Sequence, residues 1–415
     1  MKPMTPLFTP YCSTKYRAIA VCLLIVLIST AFLFYEYASE KRHLLSLLEV
    51  MHTRMVDHFP TFTDYIINNN YNHSEQGATV QKPLLILMWE NYSDAYITDE
   101  FLSKCPQLNC RIHYDRSLVK QSAAVVHYDR TINFYNMPPR HRQPNQHYVF
   151  FLMETPHHVS DKVFWKNNLN YYTLTMSYRR DSDIFSPFGY LKKRDVPIKL
   201  SDDHLKMITK SKTDLAACLV SYCSTPSQRE LYMAELQKHI NIHVYGKCGT
   251  RHCLKESSCP KDCQCEKMIA SRYKFYIAFE NSVCKDWVTE KIFNRMDRYM
   301  VPIVFNRKIY ETHIPPDSFI AVDDFDSPAQ LADYLKQLDQ NDDLYIKYFK
   351  WKETYESVSF PDGFHMAFCQ LCGRLQADQS MGHIIPSEAA QNISKWYIDR
   401  GECISHYVTK HLKLS

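Results

Sequence analysis

The chain has 415 residues, 45% of them hydrophobic and 23% charged, with a formal net charge of +4. That composition belongs to a globular protein, not a disordered one, and the length exceeds what one core usually organises, so two domains are expected besides any tail. Acids and bases are interspersed without a basic, aromatic-interleaved stripe, which gives no case for nucleic acid. The 8 glycines form neither G-x-G-x-x-G nor a P-loop, so any phosphate must be held by helix ends and side chains.

Lys2, Lys15 and Arg17 precede an uncharged run over residues 18–35, just long enough to span a bilayer. The basic flank predicts a cytoplasmic tail (1–17), a transmembrane signal anchor (18–35) and a lumenal remainder. A cleaved signal peptide is the alternative. The late start of the apolar run, with no small-residue cleavage site, favours the anchor. Three acceptor sequons, at Asn72, Asn91 and Asn392, agree with lumenal exposure. Outside Cys12 and Cys22 the lumenal part holds 13 cysteines, an odd number, so at least one thiol stays free or pairs between chains.

Residues 36–81 read as a stem. Leu44, Leu45, Leu47, Leu48 and Met51 fit a short amphipathic helix, and the polar stretch 68–75 fits a linker. An N-terminal domain (82–203) opens with a buried-strand pattern over 84–89. Cys105 and Cys110 bracket a short loop and predict a local disulfide. Further strands are expected over 123–126, 148–153 and 172–176. Glu154 follows one of these strands directly, beside a Pro turn, where a ligand crevice forms in an α/β sheet. Partial burial there would raise its pKa toward that of a general base, and a surface glutamate capping the next helix is the plainer alternative. Asp181 and Asp183 form an Asp-x-Asp pair that could hold a divalent cation against a diphosphate. Two adjoining arginines favour ion pairing instead.

The charged stretch 193–212 reads as an interdomain linker. A C-terminal domain (204–365) then begins with a strand over 215–221. Ser227 and Glu230 fit a capping box with Arg229 in the first turn of the helix. Cys248, Cys253, Cys259, Cys263 and Cys265 lack paired C-x₂-C spacing, so a disulfide-stapled loop is expected over a zinc site. The run 275–279 is too short and apolar for a helix and reads as a buried strand, ended by Glu280, Asn281 and Ser282. Helical spacing follows at Val288, Ile292, Met296 and Tyr299, with Asp286 as the expected N-cap. Lys291 falls in the first turn, where a cation opposes the macrodipole but suits a bound anion. Two helix starts carrying Arg229 and Lys291 would together clamp a diphosphate. Ser327 and Pro328 mark another helix start. Cys369 and Cys372 read as a structural disulfide, and 366–415 as a helical segment that closes the molecule.

The stretch Phe275-Tyr-Ile-Ala-Phe-Glu-Asn-Ser282, a short loop, then Val288-Thr-Glu-Lys-Ile-Phe293 resembles the signature of the α1,3-fucosyltransferase family. Phe151-Leu-Met-Glu-Thr-Pro156, residues 174–185, residues 314–324 and the Cys369/Cys372 pair match it too. The resemblance covers roughly residues 82–372. It implies a GT-B architecture, two Rossmann-like domains facing a cleft, with acceptor on the first and GDP-fucose on the second. It implies a type II Golgi membrane enzyme that moves L-fucose, with inversion, from GDP-fucose to the 3-hydroxyl of a GlcNAc-bearing glycan. No cofactor is required, and a divalent metal is stimulatory at most. Carried over by motif, Glu154 is the general base, Arg229 and Lys291 bind the donor phosphates, and Glu290 and Asn281 contact the nucleotide sugar. Tyr178, Arg180 and Asp183 belong to a motif at the domain junction. Trp287 stands where the family usually has Tyr, and the Cys-rich 248–265 insert is similar to invertebrate members. Two other readings stay open: an inactive membrane-anchored glycan-binding protein of the same fold, and a metal-dependent transferase using Asp181 and Asp183.

Overall fold

The computed structural model describes residues 82–90, 97–128, 136–159, 170–252, 264–381, 384–412 and 414. The tail, the anchor, the stem, Asn72, Asn91, Cys253, Cys259 and Cys263 lie outside the described residues. Among the described residues no helix is long and apolar enough to cross a membrane.

The chain is α/β and carries two parallel sheets. The first holds β1 (Leu84–Met88), β2 (Cys110–His113), β3 (Ala124–Tyr128), β4 (His147–Leu152), β5 (Leu174–Ser177) and β6 (Ile184–Phe185), in the order β2-β1-β3-β4-β5-β6. The second holds β8 (Asp214–Leu219), β9 (Ile242–Tyr245), β10 (Tyr273–Ile277), β11 (Val301–Val304) and β12 (Ile320–Ala321), in the order β12-β11-β10-β8-β9. Parallel strands need crossovers that cover both faces of a sheet, so their side chains are buried on both sides. That is why β4 and β10 are apolar apart from His147 and Lys274, and every residue of both is buried.

The helices used below are α1 (Asp202–Ser211), α2 (Arg229–Leu236), α3 (Gln264–Arg272), α4 (Glu290–Met296), α5 (Pro328–Gln340), α6 (Asp362–Met381), α7 (Ile393–Tyr397) and α8 (Tyr407–His411). Ser327 caps α5 through its side chain with Pro328 at the first position, as expected. The stretch read as linker instead contains α1. Ser201 caps it, Asp202 and Asp203 sit in its first turn and Lys210 in its last, a charge order that matches the macrodipole.

After the second sheet the chain crosses back. β13 (Tyr355–Ser359) pairs antiparallel with β7 (Gly189–Lys193). Then α6 lays Phe364, Phe368, Leu371 and Leu375 into the core of the first sheet, and Trp396 and Tyr397 of α7 join the same core. The C-terminal segment therefore closes the first sheet as much as the second.

The local pairs expected for Cys105 with Cys110 and for Cys369 with Cys372 are not formed. Cys105 bonds Cys369 and Cys110 bonds Cys372, with Cα atoms 5.9 and 6.0 Å apart. Cys369 and Cys372 lie one turn apart on α6, where Cβ atoms sit roughly 5–6 Å apart, too far for a disulfide. They instead face the first sheet's β2 side together. Cys248 pairs with Cys223, and Cys218 remains a buried free thiol. The exposed Lys104–Asp362 ion pair at the start of α6 contributes at most about 1 kcal/mol. A disulfide closing so long a loop contributes about 2–5 kcal/mol, so the two bonds add far more than that ion pair to the hold that the buried Phe364, Phe368, Leu371 and Leu375 already give α6. Non-reducing peptide mapping should recover 105–369 and 110–372 cross-links. Cys372→Ser should lower unfolding stability by about 2–5 kcal/mol in a denaturant titration. Recovery of a 369–372 peptide would contradict this arrangement.

Candidate active site

The carboxyl ends of the two sheets meet. Thr155, just past β4, donates its hydroxyl to Ser282 Oγ (3.2 Å), just past β10. His157 reaches the same hydroxyl through Nδ1 (3.3 Å). Past β5, the Arg180 backbone N–H donates to Asp286 Oδ2 (3.0 Å), and Asp181 pairs with Lys285 (3.2 Å). Every partner comes from a loop leaving a strand's C-terminus, which is where ligand crevices form in parallel sheets. In the second sheet the strand order reverses between β8 and β10. Of the residues expected to bind the donor, Arg229, Asn281, Glu290 and Lys291 lie on the loops and helix starts that follow these two strands, while Tyr178, Arg180 and Asp183 follow β5 of the first sheet.

Glu280 is the centre of that strand end. It is buried, and Oε1 accepts from the Thr289 N–H (3.1 Å) and hydroxyl (2.6 Å), while Oε2 accepts from Lys291 Nζ (2.8 Å). Thr289, not Asp286, is the N-cap of α4. Asp286 cannot serve, because its backbone is left-handed (φ 59°) and its carboxylate is taken by Arg180 across the junction. Glu290 and Lys291 are consequently the first two residues of α4. Burial opposes the Lys291 charge, but Glu280 and Glu290 beside it hold the ammonium well above the usual lysine range. Burial likewise opposes the Glu290 charge, and Lys291 nonetheless draws its carboxyl below the usual range. Asn281 accepts from the Trp287 indole N–H (3.0 Å), so Trp287 orients Asn281.

Arg229 opens α2 as expected, but its side chain turns inward. It is 4% exposed and donates to the carbonyls of Phe279 (2.9 Å) and Tyr222 (3.1 Å), tying the β8 and β10 loops together. Burial lowers its pKa, and Glu280 nearby opposes that shift. The expected capping box is not formed. Gln228 (φ 60°) precedes the helix without a side-chain cap, Ser227 Oγ donates to the Glu280 carbonyl (2.7 Å), and Glu230 accepts from Thr225. Ser227 is drawn away by the β10 loop, which offers a buried acceptor that must be satisfied.

On the first sheet, Glu154 lies two residues past β4, and the Tyr397 hydroxyl donates to its backbone carbonyl. Tyr178 is fully buried, edge-on to Trp287 (4.7 Å), and burial pushes its phenol far up. Asp183 Oδ2 accepts from the Thr175 N–H and hydroxyl (both 2.7 Å) and from Ser387 (2.6 Å), fastening the C-terminal segment to β5. Asp181 is gripped by Arg179 through two bonds (2.9 and 2.6 Å). Against burial, Arg179 and Lys285 hold it below the usual carboxylate range. The two acids of the Asp-x-Asp pair thus serve different partners and do not converge on a shared ion. Arg180 spans the junction, its guanidinium donating to the Thr312 carbonyl. The structure brings Glu154, Asn281, Glu290, Lys291 and Arg229 to one junction. Tyr178 and Asp183 brace that junction from inside. Asn392 stands apart, its side chain capping α7 through Lys395 N–H (3.0 Å).

Sequence reasoning missed the C-terminal strap. Residues 401–409 run across all three loops. Cys403 bonds Cys284, Ser405 meets His157 Nε2 (2.9 Å), the Ile404 and His406 N–H groups donate to Val283 and Pro226, and Thr409 donates to Gln228. His157, Cys284 and Cys403 cluster within 4.8 Å, but the two sulfurs are bonded to each other and offer no thiolate to a metal. Beside the strap lies a cavity of about 420 Å³ lined by Tyr232, Asn306, Asp323 and Tyr407, and none of Glu154, Arg229 or Lys291 borders it.

Two family models match the chain: "Fucosyltransferase, N-terminal" over residues 81–189, and "Glycosyltransferase family 10 (fucosyltransferase) C-term" over 209–396. The chain is 36% identical over 332 residues to a Homo sapiens 4-galactosyl-N-acetylglucosaminide 3-alpha-L-fucosyltransferase, covering 77% of this chain and 82% of that one. It is 32% identical to the Drosophila melanogaster alpha-(1,3)-fucosyltransferase C, covering 75% and 74%. Among solved structures, an α1,3-fucosyltransferase with GDP-fucose aligns at TM-score 0.41 and 17% identity, covering 67% of this chain and 85% of that one.

Glu280→Gln should cost about 1–3 kcal/mol of stability, because it removes the charge that Thr289 and Lys291 enclose. Urea unfolding measures this, and a variant as stable as wild type would show that the carboxylate is not the anchor.

Proposed function

The chain belongs to glycosyltransferase family 10, the fucosyltransferases, and we propose that it transfers L-fucose from GDP-fucose to the 3-hydroxyl of a GlcNAc in a glycan. The observation that carries the mechanism is the hydrogen-bonded junction between the Glu154 loop and the Glu280–Ser282 loop. It supports a GT-B arrangement, with acceptor held by the first sheet and nucleotide sugar by the second. The names of the human relatives specify N-acetylglucosaminide acceptors, which supports GlcNAc as the sugar modified.

In this reading the acceptor oxygen attacks the anomeric carbon of fucose from the face opposite GDP. Its proton passes to the Glu154 carboxylate as the bond from carbon to the diphosphate oxygen breaks, and the bonding pair leaves with GDP. One displacement inverts the anomeric carbon. Lys291, the start of α4 and Arg229 stabilise the charge that develops on the leaving diphosphate. Arg229 acts chiefly by fixing the loops, given its carbonyl partners. Glu290 and Asn281 hold the nucleotide sugar. Tyr178, Arg180 and Asp183 keep the junction in register. No residue set demands a metal for this chemistry. Divalent cations are at most stimulatory, in line with the ion-paired state of Asp181.

The basic-flanked run at 18–35 supports a single-pass type II Golgi membrane protein with its catalytic part in the lumen, glycosylated at Asn72, Asn91 or Asn392. The disulfides are in keeping with an oxidising compartment.

Incubating the secreted lumenal part with GDP-fucose and a glycan panel tests the reading. Fucose should be transferred, with inversion and in the presence of EDTA. Glycan binding without turnover would instead assign a glycan-binding protein, and loss of transfer in EDTA would assign a metal-dependent enzyme. Glu154→Gln should lower kcat by about 10²–10⁴-fold while GDP binding measured calorimetrically stays within a factor of two or so. Lys291→Ala should weaken GDP binding as well. Wild-type behaviour in both variants would overturn the site.

A further inference from the structure

In the first sheet the strand order reverses between β1 and β3, so that sheet has a crevice of its own at the carboxyl ends of these strands. The Trp89 N–H still bonds the Val126 carbonyl (2.9 Å), which marks the last rung between them. The next residue is Glu90. Its Oε1 accepts from Asn136 Nδ2 (2.9 Å), and Arg116 donates to Asn136 Oδ1 (2.6 Å) and to the Trp89 carbonyl (2.6 Å). The Arg116 guanidinium lies 4.2 Å over the Trp89 ring, and the Trp89 indole N–H donates to the Asn136 carbonyl. Asn136, Arg116 and Trp89 thus form a closed ring of contacts, and Asn136 ties the Glu90 carboxylate to it. Among the described residues Glu90 Oε2 has no hydrogen-bond partner. Burial, only partly offset by Asn136 and Arg116, pushes the carboxyl above its ordinary range. A half-buried, oriented acceptor oxygen beside a stacked cation suits a neutral ligand rich in hydroxyl donors. A bare cation would be repelled by Arg116.

We propose that Glu90, held by Asn136, Arg116 and Trp89, is an acceptor-specificity residue that binds hydroxyls of a sugar beyond the one receiving fucose. The proposal rests on the fucosyl-transfer reading and extends it to glycan selection. Its geometry follows from the sheet. β1 and β4 are two strand spacings apart, and Met88 is level with Val149 through Val126. Glu90 therefore lies about 10–15 Å from Glu154, roughly the reach of two or three pyranose rings. With one carboxylate at each end, an extended glycan along the carboxyl edge of the first sheet would be attacked at one sugar and read at another.

The test compares wild type with Glu90→Gln on two acceptors, methyl β-N-acetylglucosaminide and an oligosaccharide that carries the same GlcNAc. The wild-type preference for the oligosaccharide, as a ratio of kcat/KM values, should fall roughly 10- to 100-fold, mainly through KM. The KM for GDP-fucose should move by less than about twofold, which also reports an intact fold. Equal losses on both acceptors, no loss on either, or a shift confined to the GDP-fucose KM would overturn the proposal. Saturation-transfer NMR of the oligosaccharide on GDP-loaded protein separates the two readings. If wild type transfers no fucose, the functional reading fails, and Glu90 is judged by whether the outer-sugar signals vanish in Glu90→Gln. Signals that persist unchanged in the variant would overturn the proposal whatever the turnover.

Discussion

The junction depends on one buried charge. An unpaired carboxylate removed from water costs several kcal/mol, so Glu280 is tolerable only because three donors surround it. Those donors come from Thr289 and Lys291, so satisfying the charge also fixes where α4 begins. The backbone on either side of the same carboxylate is claimed by Arg229, at the Phe279 carbonyl, and by Ser227, at the Glu280 carbonyl. The β10 strand end, the start of α2 and the start of α4 are therefore one network. Moving any member would leave a buried polar group without a partner.

That network would be inert if the first sheet were free to swing away. Hydroxyl contacts such as Thr155 to Ser282 contribute about 1 kcal/mol each, too little to hold two lobes in one orientation. The strap supplies the rest. It crosses from Gly401, which accepts from the Lys285 N–H, through the Cys284–Cys403 bond and Ser405 on His157 to Thr409 on Gln228, touching the loops that follow β4, β8 and β10. It also begins directly after α7, whose Tyr397 holds the Glu154 carbonyl. The Glu154 loop and the Glu280–Ser282 loop are thus indexed against the same short segment.

Much of this was legible in the sequence, and the failures share a cause. β1, β3, β4, β8 and β10 announce themselves because parallel strands buried on both faces are largely apolar. Short edge strands such as β2, with Arg111 exposed, carry no such signal. Ser327 was readable as a cap because nothing distant competes for its hydroxyl. Ser227 and Asp286 are equally good caps by type, yet the other lobe or the neighbouring loop takes their oxygen atoms. The disulfides fail in the same way. Spacing suggests 105 with 110 and 369 with 372, but pairing is decided by a helix that returns from 262 and 264 residues away. Local chemistry was readable, and tertiary partners were not.

The same reasoning revises how a diphosphate would be held. Two cations at helix starts suggest a positive pocket that draws its ligand by field alone. In the structure Lys291 already faces Glu280 and Glu290, and Arg229 is spent on two carbonyls, so the formal charges of these four side chains cancel. A site with balanced charge attracts an anion weakly at long range and must bind it by directed, short-range donors. Lys291 fits that demand better than Arg229, since it is the more exposed of the two and its ammonium can exchange one carboxylate contact for a phosphate oxygen without leaving Glu280 unpaired, because Thr289 still donates twice to it. In the proposed reading Glu280 would be the pivot against which Lys291 turns from its ion pair to a phosphate, with Arg229 as the brace that keeps the pivot still.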